Sequence, residues 1–373
     1  MRYKRVFSLT LGLVFAASAA FAETPSNVTC VQNQMIALEF DPGPVDGAIG
    51  RKTRAAADAW LETQDEQHKT KFLPLYAQTA LQWCREIGEL NSDLRRFWPS
   101  QQRVITFTDT PDAELKRKLL ERSIRQVRDF YDREFDIRLA SRLDLVGAAN
   151  ITNLRRLVQQ AARPHRNATS NYSQDPNRCE GKAARGTSWP NLIAVCWPSH
   201  SKPNQTWLDT GGDFTHSLLA HEFIHIMQYE LANDIPHRFE RSGKTWLVGP
   251  TWLQEGSAEY FEDAFHVGEL GAKPYSERKY FDWIHSSKLT LATLRNELSS
   301  YEAYNVAHAA AYVLARRHGE QSLVEYWRNL AVYETQSAAF EATFRMTFAE
   351  FEDDFRTISS HYRSYQSYIR NSD

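Results

Sequence analysis

Three residues within five positions, His221, Glu222 and His225, have the types and the spacing to do hydrolytic chemistry. On a helix, positions i and i+4 lie one turn apart on the same face, so both imidazoles can converge on one point while Glu222 reaches it from beside them. Paired imidazoles suit a transition-metal ion, and zinc above all, which takes nitrogen and oxygen donors in a tetrahedron. A catalytic zinc site has three protein ligands and keeps the fourth position for water, so H-E-x-x-H calls for one more ligand elsewhere. The intervening carboxylate fits the base that deprotonates such a water.

That geometry requires a helix, and the flanks predict one. Leu219, Ala220, Phe223, Ile224, Ile226 and Met227 surround the run, and neither Gly nor Pro occurs from 213 to 235. A segment apolar on nearly every side reads as a buried helix. Neutral imidazoles buried there are costly unless each ring nitrogen has a partner.

A second run, Trp252-Leu253-Gln254-Glu255-Gly256-Ser257-Ala258-Glu259-Tyr260-Phe261, begins 27 residues after His225. Together the two runs resemble the gluzincin metallopeptidases, whose third zinc ligand is a Glu on a second helix in a W-L-x-E-G-x-A-E-Y type pattern. The resemblance implies Glu255 as that ligand, zinc as cofactor, and peptide hydrolysis by a metal-activated water. The spacing of 30 from His225 to Glu255 is nearer to collagenase-like members than to aminopeptidases. Gln228 and Leu231 occupy the positions where a metzincin carries Gly and a third His.

Glu259, four residues after Glu255, shares its helix face, and by resemblance to thermolysin-like sites it would hydrogen-bond the outer nitrogen of His221. Tyr304 opens an apolar run to Leu314 and is similar in placement to the oxyanion-stabilising Tyr of aminopeptidase-like gluzincins, with Ala307 where those have Gly. Tyr301 and His308 are the alternatives for that role. His216, five residues before His221, falls off the ligand face, and His200, His237, His266 and His285 have no metal-like spacing.

The elements around these residues predict an α+β, helix-rich fold. It comprises a small all-α unit over residues 23–97, then a domain over 98–373 with a small mixed sheet and a helical part that the gluzincin resemblance implies is a zincin subdomain. The 373 residues and 42% hydrophobic content suffice for two cores. Strands are expected over 103–107, 137–146 and 192–196, helices over 111–134 and 151–162, a surface loop over 163–190, and mostly helix from 213 onward. Leu314 to Gly319 reads as a helix ended by a Gly cap.

The first unit contains a short helix over 31–38, a second over 51–63, and between them P-G-P-V-D-G-x-I-G-x-x-T-x-x-A from Pro42 to Ala56. This resembles the helical peptidoglycan-binding module of bacterial wall enzymes, with Asp46, Gly47, Gly50, Thr53 and Ala56 at its characteristic positions. Glu39-Phe40 departs from the usual Gly and aromatic residue. The resemblance implies a wall polymer as partner beside the peptide or protein substrate. Peptidoglycan crosslinks are then an alternative substrate, and a wall-binding protein with a structural zinc is the non-catalytic alternative. Glu222 separates the last from the others, because a structural site needs no base.

Arg2, Lys4 and Arg5, an apolar run to Ala20, and Ala20-Phe21-Ala22 predict a signal peptide over residues 1–22 and export to the periplasm or beyond. No later apolar run reaches the roughly 18 residues of a spanning helix. A formal net charge of −2 gives no general case for nucleic acid or anionic lipid as partner. Export favours disulfides, for which Cys30–Cys84 and Cys179–Cys196 are the expected pairings among the three possible connectivities.

Overall fold

The computed structural model describes residues 26–76, 79–97, 105–108, 113–139, 143–161, 185–189, 192–197, 213–232, 249–333 and 335–370. The expected signal peptide over 1–22, residues 98–100 of the candidate boundary over 95–100, Cys179, His200 and His237 lie outside them.

The chain opens with α1 (Ser26–Ala37), α2 (Arg51–Glu62), the single turn α3 (Glu66–Lys69) and α4 (Ala80–Leu90), followed by a 3-10 segment over Ser92–Phe97. Val31, Met35, Ala57, Trp60, Trp83 and Ile87 form its buried core. Trp60, Phe72 and Trp83 meet edge-on or tilted at centroid distances of 4.7–6.1 Å. The expected Cys30–Cys84 disulfide joins α1 to α4. Closing a loop with a sequence separation of 54 removes unfolded-chain entropy worth about 4 kcal/mol. Cys196 is disulfide-bonded as well, and its expected partner Cys179 lies outside the described residues.

The loop between α1 and α2 is organised by Gln32, which is fully buried. Its Nε2 donates to Pro44 O, Asp46 Oδ1 and Ala48 O at 3.0–3.1 Å, and its Oε1 accepts from Gly47 N at 3.0 Å. Thr53 Oγ1 donates to Pro42 O at 2.9 Å. Gly47 has φ +72°, which only glycine adopts without cost, and Glu39 has φ +66°. At Glu39 the departure from the module pattern is thus one of side chain, while the backbone keeps a glycine-like turn.

Next come β1 (Ile105–Thr108), α5 (Ala113–Phe135), β2 (Asp144–Ala148), α6 (Ile151–Ala161), β3 (Arg185–Trp189) and β4 (Leu192–Cys196). They form a four-stranded sheet in the order β1-β2-β4-β3, parallel except for the antiparallel edge strand β3. The strands β2 and β4 read as continuous apolar runs because both faces are covered. Leu145, Ile193 and Val195 join the main core, whereas Val146, Ala148, Leu192 and Ala194 pack with Leu154, Leu157 and Val158 of α6.

Two expectations are corrected here. The strand expected over 137–146 begins only at Asp144, because Asp136 turns the chain at φ +53° and Ile137 and Leu139 are buried in a loop. The surface loop expected over 163–190 ends instead in strand β3.

Helices complete the chain: α7 (Asp213–Leu231), α8 (Thr251–Leu270), α9 (Glu277–Ser286), α10 (Tyr301–His318), α11 (Gln321–Val332), α12 (Gln336–Phe344), α13 (Phe348–Ile358) and α14 (Tyr362–Arg370). Ser300 caps α10 by accepting from Ala303 N, and Gly319 ends it at φ +85°. The fold is therefore α+β and helix-rich, with a small mixed sheet. Among the described residues no helix is long and apolar enough to cross a membrane.

Polar contacts link the first unit to the rest. The buried Arg85 guanidinium on α4 donates to the Glu230 carbonyl in the last turn of α7. Arg95 bonds Asp136 and, at 2.9 Å, Glu89, which also accepts from Arg328 of α11 at 3.3 Å.

Candidate metal centre

The helix α7 presents His221 and His225 one turn apart, and α8 crosses it so that Glu255 faces both. His221 Nε2 and His225 Nε2 are 3.2 Å apart, and Glu255 Oε2 lies 3.3 Å from the first and 3.4 Å from the second. Donors about 2.0–2.2 Å from a tetrahedral zinc must stand about 3.3–3.6 Å from one another. The three atoms thus form a nearly equilateral triangle of the size zinc requires, and two imidazoles with one carboxylate suit zinc better than calcium or magnesium.

The outer ring nitrogens fix which atoms face inward. His225 Nδ1 donates to Gln228 Oε1 at 2.9 Å, and Gln228 Nε2 donates to Gln254 O at 2.9 Å and Ser257 Oγ at 3.0 Å. His221 Nδ1 lies 3.2 Å from Glu262 Oε2, whose other oxygen accepts from Ser217 Oγ. With Nδ1 of each ring facing an outward acceptor, both Nε2 atoms are directed at the triangle. Glu259, the residue expected to orient His221, comes within 3.6 Å of Nδ1, so Glu262 makes the closer contact.

Burial by itself would favour neutral imidazoles. Hydrogen bonds and charge from Glu255 and Glu262 nevertheless lift His221 well above the ordinary histidine value, and Glu255 lifts His225 against the same burial. Burial also opposes ionisation of Glu255, yet the charge of His225 and its bonds to both rings hold its carboxyl far below the usual range. Burial pushes Glu259 up to about 7, with the negative charge of Glu262 adding to it and His221 opposing.

These residues open onto a cavity of about 770 Å³. Glu222, only 7% exposed, lines it beside the backbone of β3. A Cβ at Gly186 would stand 2.6 Å from Glu222 Cγ and Oε1, so a residue without a side chain is needed where the carboxylate lies against the strand. Residues 185–188 of β3, Leu298, Ser299 and Tyr304 complete much of the wall.

Of the tyrosine candidates, Tyr304 therefore reaches the cavity, one turn inside α10, whereas Tyr301 is 79% exposed and outside it. His308 is buried with Nε2 3.5 Å from Asp263 Oδ2, and burial pushes it down to about 3, which marks a packed neutral ring. His216 faces Gln126 on α5. His285 bonds Ser359 O at 2.9 Å, and His266 is 4.0 Å from Glu262 Oε1. Ala307, standing where a Gly was expected, is accommodated from the other side. A Cβ on Gly256 would meet Ala307 O at 2.1 Å, so the glycine that lets α8 and α10 approach belongs to α8.

Searches against protein-family models, curated proteins and solved structures return no match for this chain.

Proposed function

We propose that this protein is an exported zinc peptidase, with His221, His225 and Glu255 as ligands and Glu222 as the general base. The observation that carries the reading is the triangle of 3.2, 3.3 and 3.4 Å between two imidazole nitrogens and a carboxylate oxygen, with a further carboxylate, Glu222, in the same cavity. Zinc held there would supply a Lewis acid able to lower the pKa of a water towards neutrality. Glu222 takes the proton onto its carboxylate and delivers it to the leaving amine, while its seat against Gly186 keeps that carboxylate in place. Tyr304 supplies a hydrogen-bond donor from α10 to the substrate oxygen.

The test has two readings. Purified protein is expected to carry about one zinc per chain, which the double variant His221→Ala, His225→Ala loses. Glu222→Gln should retain the metal and lower peptide hydrolysis about 10³-fold, measured by mass spectrometry of a denatured protein mixture and of peptidoglycan sacculi. Zinc-loaded wild-type protein that releases peptides from neither would leave the site structural and overturn the proposal.

A further inference from the structure

The stripe of α8 that supplies Glu255 continues with Glu259, Glu262 and Asp263, and the mechanism above uses neither Glu259 nor Asp263. On a helix rising about 1.5 Å per residue, Glu259 stands about 6 Å and Asp263 about 12 Å beyond Glu255. Glu262 is engaged by His221 Nδ1 and Ser217 Oγ. Glu259, in the cavity wall, makes no hydrogen bond among the described residues, and its nearest charged partner is His221 Nδ1 at 3.6 Å. Asp263 accepts only from the Tyr280 hydroxyl, at 3.4 Å, and its side chain is 24% exposed. Among the described residues no Lys or Arg comes within ion-pair distance of these three carboxylates. Carboxylates so largely buried are costly without a cation.

A second observation comes from outside the acidic stripe. His308 on α10 is 3% exposed, and its Nε2 faces Asp263 Oδ2 from 3.5 Å with no hydrogen-bond partner among the described residues. A buried ring nitrogen left in that state marks a missing polar partner. The rings of Tyr275, Tyr280 and Trp283 stand 5.2–6.4 Å from the His308 ring, and Tyr275 is 46% exposed. Lys279 already rests its ammonium 5.5 Å from the Trp283 ring. Carboxylates beside aromatic faces have the chemistry that takes up an organic ammonium group.

We propose that Glu259 and Asp263 form a substrate subsite for a side-chain ammonium, so that the protein prefers peptides with Lys, or another residue ending in an amine, close to the bond it cuts. The inference rests on the peptidase reading. An α-ammonium sits beside its own carbonyl and cannot extend from the metal-facing atoms to Asp263, whereas the flexible four-carbon stem of Lys can. The three N–H donors of that ammonium match two carboxylates one turn apart.

The test uses the full chain loaded with zinc and short polyalanine peptides, acetylated and amidated at their ends, that carry a single Lys or a single norleucine at each position in turn. At the best position, wild-type kcat/KM should favour Lys by about 10-fold, and Asp263→Asn should cut that ratio to about threefold or less. Equal rates on the paired peptides would overturn the proposal, and so would a Lys preference that Asp263→Asn leaves intact. A preference for unacetylated peptides without any Lys effect would assign the stripe to an α-ammonium and equally overturn it. If no peptide is cut, the peptidase reading fails while calorimetry of the same pairs on the zinc-loaded protein still decides the subsite. Binding of the Lys peptide about 10-fold tighter supports it, and equal affinity refutes it. Should Asp263→Asn unfold, Glu259→Gln takes its place with the Lys-to-norleucine ratio as readout. Loss of zinc would lower both rates alike, so a reduced ratio reports the subsite and an unchanged one counts against it.

Discussion

The loop from Pro42 to Thr53 and the corner between α7 and α8 both answer to recognisable sequence patterns, and both are built around buried polar side chains. They use those side chains in opposite ways. In the loop, Gln32 saturates its carboxamide on Pro44, Asp46, Gly47 and Ala48, and Thr53 turns back to Pro42. The residues that carry the module resemblance thereby satisfy one another. In the corner, the outer nitrogens of His221 and His225 are satisfied by Glu262 and Gln228, which leaves two Nε2 atoms and a carboxylate oxygen crowded around one point. Two imidazoles facing each other through Nε2 cannot satisfy each other while neutral. A pattern whose polar atoms pair off internally specifies a shape, and one whose polar atoms converge could hold an ion.

The contrast can be broken first at Gln32. Gln32→Leu keeps the volume but strands the Gly47 amide and three acceptors, and is expected to cost the first unit about 3 kcal/mol. Zinc stoichiometry should be unchanged at temperatures where the unit stays folded. Differential scanning calorimetry with metal analysis reads both, and parallel losses would mean that the two regions are not separately organised. The contrast is sharpened at Glu262, where Glu262→Gln should weaken zinc binding about 10- to 100-fold in chelator competition. Glu259→Gln should weaken it less, since Glu259 stands farther from His221. The reverse order would restore Glu259 as the orienting residue. The smallest effect is expected at Gly186→Ala. The new methyl must push aside Glu222 rather than backbone, so kcat should fall about 10-fold while the melting temperature hardly moves. A drop in stability with kcat intact would show that Gly186 serves the sheet and not the base.

Local periodicity made the ligand helix legible, because His221, Glu222 and His225 are related by one turn and need no tertiary information. Glu255 needed a second pattern on another helix. Glu255, Glu259 and Glu262 all fall on one stripe of α8, and the choice of partner for His221 depends on how α7 crosses that stripe. Gln228 was visible only as a residue that excludes another family, and its role emerges from its bond to His225. Strand β3 is not legible in the sequence because Arg185-Gly186-Thr187-Ser188-Trp189 has one strand neighbour among the described residues and one large apolar residue, so no alternation marks it. The opposite error occurred at Ile137 and Leu139, whose apolar alternation reflects burial in a loop.

Arg85 gives the first unit a bearing on α7 that neither pattern suggests. The last carbonyls of a helix lack intrahelical partners and carry partial negative charge, and the Arg85 cation sits on one of them, Glu230, in α7. Genetic trimming to a fragment that starts after residue 97, or proteolytic clipping of the chain there, would remove that cation and expose the end of the helix that carries both histidines. The first unit is thus not an optional tag on the rest of the chain, and under the proposed zinc reading cleavage between the two would loosen the site rather than release it for work.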